Sequence, residues 1–188
     1  MRLYDIAEFE KVSFEQFKTD WLNCTPTSKS VWTDDEIKEI YDGIEIPQRS
    51  TGDAGTGYGA EGYDFIAPID ISIPFGKALV IPTGLKCRVD EYFALHIVPR
   101  SGHGFKYGIR LANTIGVIDN DYHNTESNEG HIMIKLVNGD EYVNTDKKTF
   151  EVKKGDAFAQ GLFNVFGITV NDKPKGKRKG GFGSTDNK

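Results

Sequence analysis

The chain has 188 residues, 38% of them hydrophobic, with a net charge of −5 and a mean hydropathy of −0.45. That length supports one sizeable core with an added segment. No apolar run approaches the ~18 residues of a membrane span, and the acidic balance argues against a general nucleic-acid surface.

The N-terminus lacks the basic-then-apolar pattern of a signal peptide, so the expectation is a cytoplasmic protein with neither membrane nor direct nucleic-acid partners. Residues 1–43 read as a helical extension. "SFEQ" (Ser13 to Gln16) and "TDDE" (Thr33 to Glu36) match the capping-box pattern, in which a hydroxyl and a Glu or Gln side chain satisfy free amide groups. Phe14, Phe17 and Trp21 follow the first at helical spacing, and Ile37, Ile40 and Tyr41 follow the second, with Gly43 as a stop. Two short helices are predicted, laying their apolar faces on the body. Cys24 and Cys87 share no short spacing, which leaves reduced structural thiols as the expectation.

From Ile44 to residue 170 the texture is β-rich. "ALVIPTGLKCRV", "YFALHIVPR", "GVID", "HIMIKLVN" and "TFEVKKGDAFAQGLFNVFGITV" read as strands separated by turn residues. No long helical pattern alternates with them, so a mostly β sandwich or jelly roll is expected. "GYGAEG" (Gly57 to Gly62) fits G-x-G-x-x-G, but no hydrophobic strand precedes it and "YDFIAP" follows, so it is a loop entering a strand rather than a dinucleotide site.

Four segments could carry chemistry. "VPRSGHG" (Val98 to Gly104) follows a strand and turns sharply, offering the Arg100 fork, the Ser101 hydroxyl and glycine amides to an anion, or simply a surface turn. "NTIGVIDNDYH" (Asn113 to His123) delivers Asp119, Asp121 and Tyr122 to a strand end, where a carboxylate either polarises a water or caps backbone amides. Gln160 is a polar residue inside an apolar strand and must find partners, protein or ligand. The tail, residues 171–188, crowds five basic residues between Lys173 and Lys179 ahead of a Phe182 wrapped in glycines, and is either a solvated terminus or a flap for a polyanion. No His/Asp/Glu spacing specifies a transition metal.

Taken in order, "EGYDFIAP" (61–68), "PRSG" (99–102), "GVIDNDY" (116–122), "GDAFAQG" (155–161) and "GGFGST" (180–185) resemble the five motifs of the trimeric deoxyuridine triphosphatase (dUTPase) family over about residues 44–188. The resemblance implies a jelly-roll homotrimer with three sites, each assembled from all three subunits. It also implies hydrolysis of dUTP to dUMP and pyrophosphate, with Mg²⁺ on the triphosphate, which lowers dUTP and supplies the dTMP precursor. By position, Asp119 would activate the attacking water, and Tyr122 would lie against the deoxyribose. Asn113, Val117, Ile118 and Met133 would read uracil. Arg100, Ser101, Gly102 and Gln160 would hold phosphates, with Asp64 near the metal's water shell. In the tail, Phe182 would stack on the base, while Ser184 and Thr185, next to Gly183, meet the γ-phosphate.

The chain departs from the family pattern at three places. "NTESNE" (124–129) interrupts the third motif before Gly130, Ala157 stands where the fourth has Arg, and Lys177, next to Arg178, stands where the fifth has Arg. Either Lys177 or Arg178 would reach the γ-phosphate, and a lysine there lacks the bidentate fork. Two other readings stay open: a dCTP deaminase relative, and an idle member of the fold that binds an unidentified protein partner through the helices and the inserted loop.

Overall fold

The computed structural model of the chain describes residues 5–24, 31–49 and 59–173. Among them are the strands β1 (Ala7–Lys11), β2 (Gln48–Arg49), β3 (Tyr63–Ile66), β4 (Ile71–Ile73), β5 (Lys77–Pro82), β6 (Leu85–Val89), β7 (Phe93–Pro99), β8 (Ile109–Leu111), β9 (Gly116–Ile118), β10 (Met133–Asn138), β11 (Phe150–Val152) and β12 (Ala157–Val165). Every ladder is antiparallel, in sheets ordered β2-β3-β12-β7-β9, β5-β10-β8, β11-β4 and β1-β6. The expected mostly β, jelly-roll-like class holds. Alternating burial along β4, β6 and β11 shows why: apolar side chains at every second position face one core. No helix among the described residues is long and apolar enough to cross a membrane.

The helices α1 (Phe14–Cys24) and α2 (Asp34–Asp42) form as predicted. Phe17, Trp21, Ile37 and Ile40 are buried in the same cluster as Phe65, Leu95, Phe150 and Phe158 of the strands. The extension also holds a strand that the sequence reading missed. β1 pairs with β6 from Ala7↔Val89 to Lys11↔Leu85, and Phe9 packs edge-on against Phe65 at 5.9 Å. Three charges in "AEFEK" mask its alternation.

Two strand and turn expectations need correction. "VPRSGHG" is no simple turn: α3 (Ser101–Tyr107) begins within it and stops at Gly108, whose φ of 64° suits glycine. Gly102 and Gly104, poor helix formers, hide this helix from sequence inspection. At the other end, β12 stops at Val165, opposite the start of β7 at Phe93, with one last backbone bond from Phe166 N–H to the Tyr92 carbonyl at 3.2 Å. Phe166 to Val170 follow outside any strand, with Ile168 64% and Val170 fully exposed.

The α2 capping box is complete, with Thr33 and Glu36 serving each other's backbone. The box at α1 is only half local. Ser13 Oγ accepts from Gln16 N–H at 3.2 Å, but the Gln16 amide donates to Asp20 instead of returning to Ser13. Glu129, from the inserted loop, takes that place: its carboxylate accepts from Ser13 N–H at 2.8 Å and from Ser13 Oγ at 2.6 Å. An ionised acceptor makes the stronger bond.

A second tie joins α1 to the strands. His131 is fully buried, and its Nε2 accepts from Gly84 N–H at 2.7 Å. That acceptor role assigns the ring proton to Nδ1, which donates to the Asp20 carboxylate at 2.6 Å. Gly84 sits at φ 71°, where any Cβ would come within 2.1 Å of Ile44 Cδ1. Burial works against the Asp20 charge, yet the hydrogen bonds from His131 and Gln16 prevail and hold its carboxyl below the usual range.

A carboxylate with a lowered folded-state pKa contributes stability above its unfolded pKa and loses that contribution as pH falls through the folded value. Asp20→Asn should therefore cost about 1–3 kcal/mol at neutral pH. Its urea midpoint should also fall less steeply than that of the wild type as pH drops through and below ~4. Parallel pH curves for the two proteins would show that the pair contributes nothing.

Candidate active site

The predicted residues form two groups. In the first, β3 and β12 lie side by side with Gln160 opposite Asp64, and Gln160 Nε2 donates to Asp64 Oδ1 at 3.0 Å. The partly buried amide thus finds a protein partner. Gly62 permits that fit, since a Cβ there would stand 3.2 Å from Gln160 Cδ. Arg100 Nε approaches the same Asp64 oxygen at 3.7 Å, and its Nη1 donates to the Ala157 carbonyl at 3.4 Å.

Arg100, Ser101, Gly102 and Gln160 line one cleft of about 510 Å³, together with His103, Lys106 and Glu151. Arg100 stands at the N-cap of α3 and no side chain caps that helix. The amides of its first turn and their partial positive charge therefore add to the cations around the cleft. His103 and Lys106 escaped the sequence reading. The missing signal was the helix: Arg100, His103 and Lys106 recur every third residue, which places them on one face. Burial lowers the pKa of His103, and the neighbouring Arg100 charge lowers it further. The imidazole is accordingly biased towards its neutral form until an anion arrives.

The second group surrounds β9. Val117 is 45% exposed and Ile118 is buried. Asp119 follows at the N-cap of the 3-10 turn Asn120–Tyr122, and its side chain makes no capping bond there. Tyr122 is 3% exposed and its hydroxyl donates to the His131 carbonyl at 2.9 Å. Asn113 is exposed at the tip between β8 and β9. Ala112 N–H donates to the Lys135 carbonyl, extending the β8–β10 ladder towards Met133. Lys177, Arg178, Phe182, Gly183, Ser184 and Thr185 lie outside the described residues.

One chain does not bring the two groups together. Strand β7 pairs Leu95 with Ile118 and Ile97 with Gly116, so the ladder carries Asp119 towards the Ala94 end. Arg100 lies beyond the other end, six residues away and roughly 20 Å along an extended strand.

A dUTPase family model matches residues 45–186. The chain belongs to the dUTPase family. It is accordingly an enzyme of the dUTP diphosphatase class. The deoxyuridine 5'-triphosphate nucleotidohydrolase of Lactococcus lactis is 38% identical over 145 residues, covering 76% of this chain and 89% of that protein. The corresponding protein of Nautilia profundicola is 31% identical over 80% of this chain and 96% of its own length. Among solved structures, a dUTPase from Streptococcus mutans aligns with a TM-score of 0.56 at 29% identity, over 87% of this chain and 98% of that one. A Staphylococcus bacteriophage 80alpha dUTPase, at 14% identity and a TM-score of 0.55 over 92% of this chain and 98% of its own, shares the fold.

Within this dUTPase-family cleft, Gln160→Ala removes a neutral donor from Asp64 and should lower kcat/KM roughly tenfold. Steady-state pyrophosphate release and a thermal melt check it: loss of turnover with an unchanged Tm is the expected result.

Proposed function

We propose that the chain hydrolyses dUTP to dUMP and pyrophosphate as a homotrimer in which no site is complete within one copy. The observation that carries this reading is the β7 register, which holds Asp119 and the Arg100 cleft at opposite ends of one strand. No side chain spans roughly 20 Å, so a phosphate in the cleft and a water at Asp119 can meet only across a subunit boundary. The exposed apolar residues Val165, Ile168 and Val170, with Ile115 and Val117, fit surfaces that neighbouring copies cover. The two free cysteines fit a reducing cytoplasm.

In this reading Asp119 takes a proton from water as its oxygen attacks the α-phosphorus, and the β,γ-pyrophosphate leaves. Arg100, Ser101, Gly102 and Gln160 hold the phosphates, and the transfer needs mainly positioning and charge neutralisation. Asn113, Val117, Ile118 and Met133 read the uracil edge, while Tyr122 excludes a 2′-hydroxyl by occupying its space. The tail closes the site: Phe182 covers the base, Ser184 and Thr185 follow Gly183 to the γ-phosphate, and Lys177 or Arg178 neutralises it.

Magnesium fits the residues present in one limited way. Among the described residues no cluster of three His, Cys, Asp or Glu side chains could cage a cation. Mg²⁺ commonly takes one or two carboxylates plus substrate phosphates, and Asp64, at the cleft edge beside Gln160 and Arg100, suits its water shell. Bound there with the triphosphate, it would supply charge neutralisation.

Complementation tests the assembled site. Asp119→Asn and Arg100→Ala should each be inactive as homotrimers, yet refolded mixtures should regain a fraction of wild-type turnover, because some sites then combine an intact Asp119 with an intact Arg100. Mixtures as dead as their parents would refute a shared site. With wild-type protein, pyrophosphate release should be confined to dUTP among dUTP, dCTP, dTTP and UTP. Deleting residues 173–188 should abolish most turnover while leaving the trimer's melting temperature unchanged.

A further inference from the structure

The six residues inserted before Gly130 fold inwards, onto Tyr122. Asn128 Nδ2 donates to the Tyr122 hydroxyl at 2.7 Å, while that hydroxyl gives its own proton to the His131 carbonyl at 2.9 Å. Asn128 cannot flip. Its Oδ1 accepts from Thr125 Oγ1 at 2.9 Å and from Gly130 N–H at 3.2 Å, and a reversed amide would set donors against donors. Thr125 is itself 6% exposed.

The loop is also held from outside. Glu129 caps α1 through Ser13, and His131, next but one, is tied to Asp20 of the same helix. Asn124 and Glu129 both adopt φ of 56°, a conformation that residues with a side chain keep only when their surroundings enforce it. Gly130 at φ 78° lets the chain pass the Tyr122 carbonyl, since a Cβ there would come within 2.5 Å of that oxygen. Nothing in the third-motif pattern, where Tyr-x-Gly is continuous, supplies an equivalent of Asn128.

We propose that Asn128 is a positioning residue for sugar selection, fixing the Tyr122 ring through its hydroxyl, with the N-terminal helix clamping the loop that carries it. This rests on the reading of Tyr122 as the residue that excludes a 2′-hydroxyl. The Tyr122 hydroxyl is held by two bonds, one from Asn128 and one to the His131 carbonyl, and losing the first leaves the ring more room to yield to a bulkier ribose. The inserted loop therefore tightens discrimination between dUTP and UTP without touching either nucleotide.

The test is a double-mutant cycle on the ratio of kcat/KM for dUTP to that for UTP. Asn128→Leu keeps the branched shape and removes the donor to Tyr122, whereas a carboxylate there would accept the hydroxyl's proton and hold the ring anew. Asn128→Leu should lower the ratio severalfold, chiefly by improving turnover of UTP. Tyr122→Phe, which also loses the bond to His131, should lower it further, and Asn128→Leu added to Tyr122→Phe should change nothing more. Thr125→Val, which loosens Asn128 from the far side, should give a smaller loss that also vanishes in the Tyr122→Phe background. An Asn128→Leu ratio equal to wild type overturns the proposal, and so does a loss that persists undiminished in the Tyr122→Phe background, because that loss would be general loop damage. A wild type that hydrolyses UTP as readily as dUTP removes the Tyr122 reading itself, and the proposal falls with it for that distinguishable reason.

Discussion

Strand β7 lies between β12 and β9, and its register with both decides where Arg100 and Asp119 stand. On one side it sets Pro99 against Ala159 and Val98 against Gln160, which brings the Arg100 loop to the amide that holds Asp64. On the other side it sets Leu95 against Ile118, which sends Asp119 in the opposite direction. A shift by a single residue in either ladder would turn these side chains to the other face of the sheet. Gly161 and Gly116 help fix it: a Cβ on Gly161 would stand 2.8 Å from Leu95 Cδ1, and one on Gly116 would stand 3.1 Å from Ile97 Cβ. Packing therefore sets the register, and the register separates the Arg100 cleft from Asp119 within one chain.

The N-terminal helices are joined to the body by both apolar and polar contacts. Their apolar residues share one core with the strands, and their polar residues reach the C-terminal end of the inserted loop, at Glu129 and His131. Asp20 pairs with the buried His131, which would be costly to leave alone, while the tie between Ser13 and Glu129 lies at the solvent-exposed surface. The rigid element at the rim is thus held by long-range bonds, and its interior by the short-range bonds of Asn128.

Much of this was legible because it is local. The α2 capping box needs only Thr33 and Glu36, three residues apart, and the strand alternation of β6 or β11 is written in consecutive side chains. The ordered motifs named the residues of the cleft and of the β9 rim before any contact was known. What escaped was either short, interrupted or distant. Two glycines disguised α3, and with it the shared face of Arg100, His103 and Lys106. The strand β1 was masked by its charges. The α1 cap was misassigned because the stronger acceptor, Glu129, lies 116 residues away.

The sequence by itself determined the β class, the two N-terminal helices and the family to which the residues belong, since periodicity, caps and motif order are properties of neighbours along the chain. Only the tertiary structure decided that Gln160 holds Asp64 across 96 residues of sequence and that the insertion turns inwards to hold Tyr122. It alone placed Asp119 and Arg100 at opposite ends of β7. Those outcomes depend on ladder register and on buried polar groups finding partners, and neither is fixed until the whole chain is folded.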